Sequence, residues 1–386
     1  MTNKVLKVEA FIFEASRESS YIGDKSLKGS GEYFVLKENK TVYATTDRTV
    51  IVRIETGNGV VGWGETYGLI CAEATIALIN DFMAEFVIGQ DPADVSIIYE
   101  NIYNMMRCRG YNGGYYHDAL AAIDIALWDV LGKIHQQPIY NLLGGQRRKQ
   151  IPAYVSGLPK PTLAQRIEFA KSWQDKGFVA FKFASPAAGP DLGLEMKELR
   201  VALGTEVKIA CDLQWAQTAG EASAMIASMQ PYNLWFAEAP VATENIAGLK
   251  QVENSGTTPI AVGEEWRTIY DAQARISAGA VDIIQPEMGH VGITQFMRMG
   301  TLAQANHLQI IPHATIGSGI FLAASLQVAC CLENVTYHEY QHAVFDQYQQ
   351  MTTEGISVMS GYYSLSNAPG LGIEPSDVML ASMKKA

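Results

Sequence analysis

Six ionisable side chains recur along the second half of the chain on a nearly constant beat: Asp212, Glu238, Glu264, Glu287, His313 and Glu339, separated by 26, 26, 23, 26 and 26 residues. Each closes a short apolar run (VKIACD, LWFAEAP, IAVGEE, DIIQPE, IIPHA, VTYHEY). A strand, a helix and two loops take roughly 25 residues, and alternating units of this kind imply a parallel sheet. The beat therefore sets an ionisable residue at the carboxyl end of six successive strands. In a closed barrel that is the end where active sites are built. IPAYVSG and FVAFKFA read as two further strands before the beat. The expectation is an α/β chain with an eight-stranded (β/α) barrel.

The 386 residues leave room for a second, smaller domain beside such a barrel. Residues 1–145 read as an α+β capping domain. Two strands, KVEAFIFEA and RTVIVRIETGNGVVGWGE, carry a hairpin signal at Gly57-Asn58-Gly59, and helices follow. The clearest is HDALAAIDIALWDVLGKI, with an apolar stripe of Leu120, Ile123, Leu127, Val130, Leu131 and Ile134. A long polar connection, roughly 16–46, joins the first strands and has the length of a functional loop. The barrel is expected over 146–350. Residues 351–386 do not read as another strand–helix unit and are expected to pack back on the capping domain.

A net charge of −11 argues against nucleic acid as a partner. Five cysteines, Cys71, Cys108, Cys211, Cys330 and Cys331, lack metal-ligand spacing and suit reduced thiols. The N-terminal MTNKVLKVEAFIFEA has no unbroken apolar core before a cleavage site, so a cytoplasmic location is expected. The apolar IGSGIFLAASLQVACCL reads as a buried barrel helix rather than a membrane span.

Three carboxylates at the ends of adjacent strands, Asp212, Glu238 and Glu264, would raise one another's pKa unless a cation neutralised them. Hard oxygen ligands with room for water and substrate suit Mg²⁺. A single such acid could be no more than a helix cap; three in phase point to a metal. His313, with Glu287 on the preceding strand end, has the wiring of a general acid or base, the carboxylate fixing the tautomer and raising the basicity of the imidazole. Lys182, inside the apolar VAFKFA, must emerge at a polar site, since burying an ammonium alone is costly. Glu339 closes the ring and could polarise a substrate oxygen. Gly317-Ser318-Gly319 could cradle an anion with backbone N–H groups or form a tight barrel turn. Arg107, Arg109 and Tyr111 could reach over the mouth to a carboxylate or form a solvated loop.

Taken together, GWGE, IDIALWDVLGK with QPIYNLLGG, the ordered strand-end acids, IIQPE, HVGIT and PGLGIE resemble the enolase superfamily, in its mandelate racemase subgroup, over nearly the whole chain. The resemblance implies a capping domain over a modified (β/α)8 TIM barrel, Mg²⁺ as cofactor, and small-molecule carboxylate substrates, most often sugar acids. It implies that the substrate carboxylate chelates the metal, that a base removes the α-proton, and that the metal stabilises the enediolate. It assigns Asp212, Glu238 and Glu264 to the metal, Glu287 with His313 to acid/base work, and Glu339 to the substrate carboxylate. It also favours a homo-oligomer.

Two departures matter. The family's Lys-x-Lys is Lys182 followed by Ala184, and its dyad aspartate is Glu287, one methylene longer. Asp212-Leu213-Gln214 supplies no histidine in place of the missing lysine, which leaves His313 as the best supported base. Racemisation needs a proton carrier on each face; dehydration needs one base and one acid. The reading is therefore a sugar-acid dehydratase giving a 2-keto-3-deoxy acid, with Lys182 able to share the work. The alternatives are an epimerase, racemase or cycloisomerase, or a metal-binding relative without activity. Gln214, Trp266, His290 and Arg109, with the 16–46 loop, are expected to choose the substrate.

Overall fold

A computed structural model describes residues 2–16, 33–35, 40–314 and 317–385. The N-terminal body begins with β1 (Val5–Ser16), β2 (Tyr33–Val35), β3 (Val42–Ala44), β4 (Thr46–Thr56) and β5 (Val61–Tyr67). β1, β4 and β5 form an antiparallel sheet in that order, β4 and β5 joined at the Gly57-Asn58-Gly59 turn. Most of the 16–46 connection lies outside the described residues. Its described part contains regular structure the sequence reading did not expect: β2 and β3 pair antiparallel, with Phe34 stacked on Tyr43. Their aromatic and β-branched triplets favour a pleated surface.

The helix Gly114–Ile134 is buried on nearly all sides rather than along one stripe, with Ala119 to Leu127 all covered. It lies between the cap sheet and the barrel helix Met288–Ala305. On the sheet side, Gly64 of β5 comes so close that a Cβ there would sit 1.9 Å from the Ala122 carbonyl oxygen. On the barrel side, Trp128 Nε1 donates to Thr294 Oγ1 (3.0 Å) and Thr294 N donates to Asp124 (2.9 Å).

The second body is the expected barrel: β6 (Gln150–Ser156), β7 (Ala180–Ala184), β8 (Lys208–Asp212), β9 (Leu234–Glu238), β10 (Ile260–Val262), β11 (Ile283–Ile284), β12 (Gln309–Ile310) and β13 (His338–Tyr340). Neighbours run parallel from β6 to β12. β13 pairs with β6, and a parallel bridge from Ile310 to Val335 closes the ring. Tyr154, Ala180, Ala210, Phe236, Ala261, Ile283 and Ile311 meet inside, large side chains filling the space left by small ones, so the barrel is packed rather than hollow. Because side chains on a strand repeat every two residues, this apolar layer fixes the next inward one: Ser156, Lys182, Asp212, Glu238, Gln285 and His313. The site is built on that second layer, with Glu264, Glu287 and Glu339 placed around it.

After the helix His342–Met351 come β14 (Ile356–Met359) and β15 (Tyr362–Leu365). The segment from 351 touches both bodies: β15 lies antiparallel on β6, and Lys384 pairs antiparallel with Ile12 of β1. The helix Ile320–Ala329 is fully buried in the barrel wall. Among the described residues no helix is long and apolar enough to cross a membrane, and all five cysteines are free.

Candidate active site

Asp212 and Glu238 stand opposite one another in the β8–β9 register, and Ala184 opposes Asp212 from β7. Lys182, two residues back on the same face as Ala184, is buried between two acids. Its Nζ lies 2.5 Å from Glu238 Oε1 and 3.2 Å from Glu339 Oε1, above the Tyr154 ring. Two carboxylates and an aromatic face offset the cost of taking an ammonium out of water. Gln285 Nε2 donates to the other oxygen of Glu238 (2.6 Å). Asp212 accepts from the backbone N–H (2.8 Å) and the side-chain amide (2.7 Å) of Gln214. Gln214 itself holds a left-handed backbone, φ 59°.

Burial raises the Glu238 carboxyl above its ordinary value; Lys182 opposes the shift, and Asp212 and Glu339 reinforce it. Burial raises Glu264 far more, with His313 opposing and Glu238 and Asp212 adding to it. These acids repel one another across the mouth, the electrostatic signature of a set that takes a cation. As they stand, each is satisfied by protein: Asp212 by Gln214, Glu238 by Lys182 and Gln285, Glu264 by His313. Among the described residues no three His, Cys, Asp or Glu side chains converge closely enough to hold an ion. The donor chemistry of Asp212, Glu238 and Glu264 fits Mg²⁺, and their use as a set requires Glu264 to turn from His313.

His313 Nδ1 is 2.8 Å from Glu287 Oε2, and the two residues form a parallel backbone bridge. Its Nε2 faces Glu264 Oε2 (3.1 Å) and Glu339 Oε2 (3.6 Å). Burial pulls the imidazole down, but Glu264, Glu339 and Glu287 outweigh it and push it up to about 10. Burial also works against ionised Glu339, and there Lys182 and His313 prevail, holding the carboxyl at about 2. Glu339 further accepts from the Ala314 N–H (2.7 Å). Glu287 serves two roles at once, since it caps the helix Met288–Ala305 through Gly289 N (3.3 Å) while its other oxygen orients His313.

The remaining predicted residues divide. Gln214 belongs to the site through Asp212. His290 lies beside it, its Nδ1 2.8 Å from Asp118 Oδ1 and its ring stacked on Tyr67. Burial and Arg267 lower the His290 pKa against Asp118. Trp266 is buried, its ring filling the space that a side chain on Gly263 would take. Arg109 is exposed in the turn after the helix Val95–Arg107, and no hydrogen bond or ion pair joins it to the mouth among the described residues. The Gly317-Ser318-Gly319 turn is filled from within the chain: Glu65 of GWGE accepts from the Ser318 and Phe321 backbone N–H groups.

Four residues escaped the sequence reading. Gln285 stands two residues beyond the inward Ile283, so the period-two rule would have found it. Tyr67, Asp118 and Arg267 have no such local signal. Tyr67 OH donates to Glu287 Oε2 (3.0 Å), and Arg267 Nε donates to Asp118 (3.2 Å).

A capped (β/α) barrel with buried carboxylates and a carboxylate-bound imidazole at its mouth has the architecture of an enzyme. A profile described as mandelate racemase / muconate lactonizing enzyme, N-terminal domain, matches residues 37–144, and one described as enolase C-terminal domain-like matches 165–378. The chain belongs to the enolase superfamily. A Sinorhizobium meliloti protein, assigned only provisionally as an isomerase, is 52% identical over 99% of this chain and 100% of its own, with a TM-score of 0.98. The 3,6-anhydro-D-galactonate cycloisomerase of Zobellia galactanivorans is 25% identical over 99% of this chain and 100% of its own, with a TM-score of 0.83. A Streptomyces coelicolor racemase with bound magnesium is 21% identical over 98% of this chain and 99% of its own, and shares the fold at a TM-score of 0.84. Members of the superfamily bind Mg²⁺.

Proposed function

We propose that the enzyme removes the α-proton of a sugar acid, or of its lactone or anhydro form, and expels the oxygen on the β-carbon to give a 2-keto-3-deoxy acid. The observation that carries this is the asymmetry of the proton carriers. His313 is the imidazole with its own carboxylate, whereas Lys182 is locked between Glu238 and Glu339 beside Ala184. One competent carrier suits elimination better than racemisation, which needs one on each face.

Asp212, Glu238 and Glu264 would hold Mg²⁺, which when bound supplies positive charge where the substrate carboxylate gains electrons. His313 takes the α-proton at Nε2 while Glu287 fixes Nδ1–H and stabilises the imidazolium. The C–O bond at the β-carbon breaks, the departing oxygen takes the proton back from His313 Nε2, and the enol ketonises with a proton from solvent. Glu339 and Lys182 bind and orient substrate oxygens.

If the departing oxygen is a free hydroxyl, the reaction is a dehydration. If it belongs to a ring, the same bond changes open the ring and the product is an isomer. The relatives favour the second form: one is assigned provisionally as an isomerase, and the other is a 3,6-anhydro-D-galactonate cycloisomerase. Incubation with Mg²⁺ and a panel of hexonates, hexarates, their lactones and anhydro acids separates these forms by mass. An isomeric keto acid from a cyclic substrate supports ring opening; a keto acid lighter by one water from an open-chain acid supports dehydration. Intact substrate throughout would contradict both.

A further inference from the structure

We propose that Tyr67, at the end of β5 in the capping domain, is a positioning residue for the His313–Glu287 pair, so that the base is fully assembled when the cap is seated on the barrel. The proposal rests on the reading of His313 as the base. Glu287 Oε2 receives two donors, His313 Nδ1 at 2.8 Å and Tyr67 OH at 3.0 Å, while among the described residues Oε1 receives the Gly289 N–H at 3.3 Å. A glutamate has one more rotatable bond than the aspartate that the family pattern carries there, and that freedom must be removed for the carboxylate to orient an imidazole. The phenol hydroxyl removes it.

The ring that bears the hydroxyl is itself fixed. It stacks on His290 at 4.2 Å between centroids and lies parallel to Phe321 at 5.7 Å. Gly289 admits it, because a Cβ there would meet the ring at 3.0 Å. The preceding residue, Thr66, hydrogen-bonds the Gly289 carbonyl. Asp118, on the cap helix, holds the His290 that stacks on the ring. These anchors join the cap to the first turn of the helix Met288–Ala305, and Phe321 adds the start of the helix Ile320–Ala329.

Tyr67→Phe keeps both ring stacks and deletes only the hydroxyl. The test is the downfield proton NMR spectrum of the full chain in Mg²⁺ buffer for wild type, Tyr67→Phe, Glu287→Gln and His313→Asn. The expected result is a resonance abolished by His313→Asn and Glu287→Gln and displaced by Tyr67→Phe, with the melting temperature of Tyr67→Phe unchanged. On whichever panel acid or lactone is turned over, kcat should fall about five- to tenfold with KM within about twofold, as for loss of one charge-assisted hydrogen bond. A resonance lost in Glu287→Gln but unmoved in Tyr67→Phe overturns the role of Tyr67 and leaves the dyad standing. A wild-type spectrum with no His313-dependent resonance overturns the dyad itself, and the proposal with it.

Discussion

At the scale of single residues, the mouth is a set of charges that would not tolerate one another without their partners. Lys182 is tolerable in the core because Glu238 and Glu339 face it, and Glu339 stays ionised because Lys182 and His313 face it. Removing His313 therefore tests chemistry more cleanly than removing a carboxylate. His313→Asn should cost a factor of about 10² to 10⁴ in turnover, the usual share of a general acid or base. Mg²⁺ binding by calorimetry should survive, and near-normal turnover would remove His313 from the mechanism.

His338 offers a test of burial alone. It is enclosed with its Nε2 2.8 Å from Ser325 Oγ, and burial lowers its pKa to about 4. The unfolded chain then binds a proton between pH 6.5 and 4 that the folded chain refuses, so wild type loses stability as pH falls through that window. A His338→Gln variant does not share this loss. The stability difference in favour of wild type should shrink on acidification by up to about 1.4 kcal/mol per pH unit. Denaturant titrations at pH 7 and 4.5 read this directly, and a constant gap would mean that His338 is not excluded from protonation.

At the scale of elements, the motifs that suggested the family prove to be fasteners as much as chemistry. Asp129 accepts from the backbone N–H groups of Trp63 (2.9 Å) and Leu371 (2.8 Å), tying the cap helix to GWGE and to PGLGIE. Gly292 of HVGIT takes φ 69°, and a Cβ there would lie 2.7 Å from Asp124 Oδ2. Gly64 lets β5 lie against the cap helix. Gly64→Ala should cost upwards of roughly 3 kcal/mol, because a backbone carbonyl cannot move aside cheaply. Gly59→Ala, where the added Cβ meets nothing within 4 Å but φ is +85°, should cost only about 1 kcal/mol of backbone strain. Comparable melting temperatures for the two variants would refute the close-packing argument.

Elements also mark where sequence reading reached and where it stopped. The strand-end beat was legible because strand and helix repeat in a fixed length, and the inward face of a strand repeats every two residues. The apolar stripe on Gly114–Ile134 was legible too, but the burial of the helix on its other sides was not, since a second packing partner leaves no period of its own. Tyr67 meets Glu287 across 220 residues of sequence, and Asp118 meets His290 across 172. Such pairs come from docking one body on another, which local pattern does not encode.

At the scale of the whole molecule, the barrel supplies the charges and the cap supplies their alignment. Glu65 reaches from the cap to the turn after His313, and Tyr67 reaches to Glu287. A reaction that exposes an enol to solvent would profit from a mouth assembled in this way. The central claim is that one imidazole removes the α-proton and that a β-oxygen then leaves. The measurement that bears on it most directly is an NMR time course in D₂O with Mg²⁺ and the sugar acids, lactones and anhydro acids of the panel. The account predicts a 2-keto-3-deoxy acid carrying solvent deuterium at C3, formed by wild type and not by His313→Asn. Deuterium entering C2 of recovered starting material, with no keto acid formed, would contradict it.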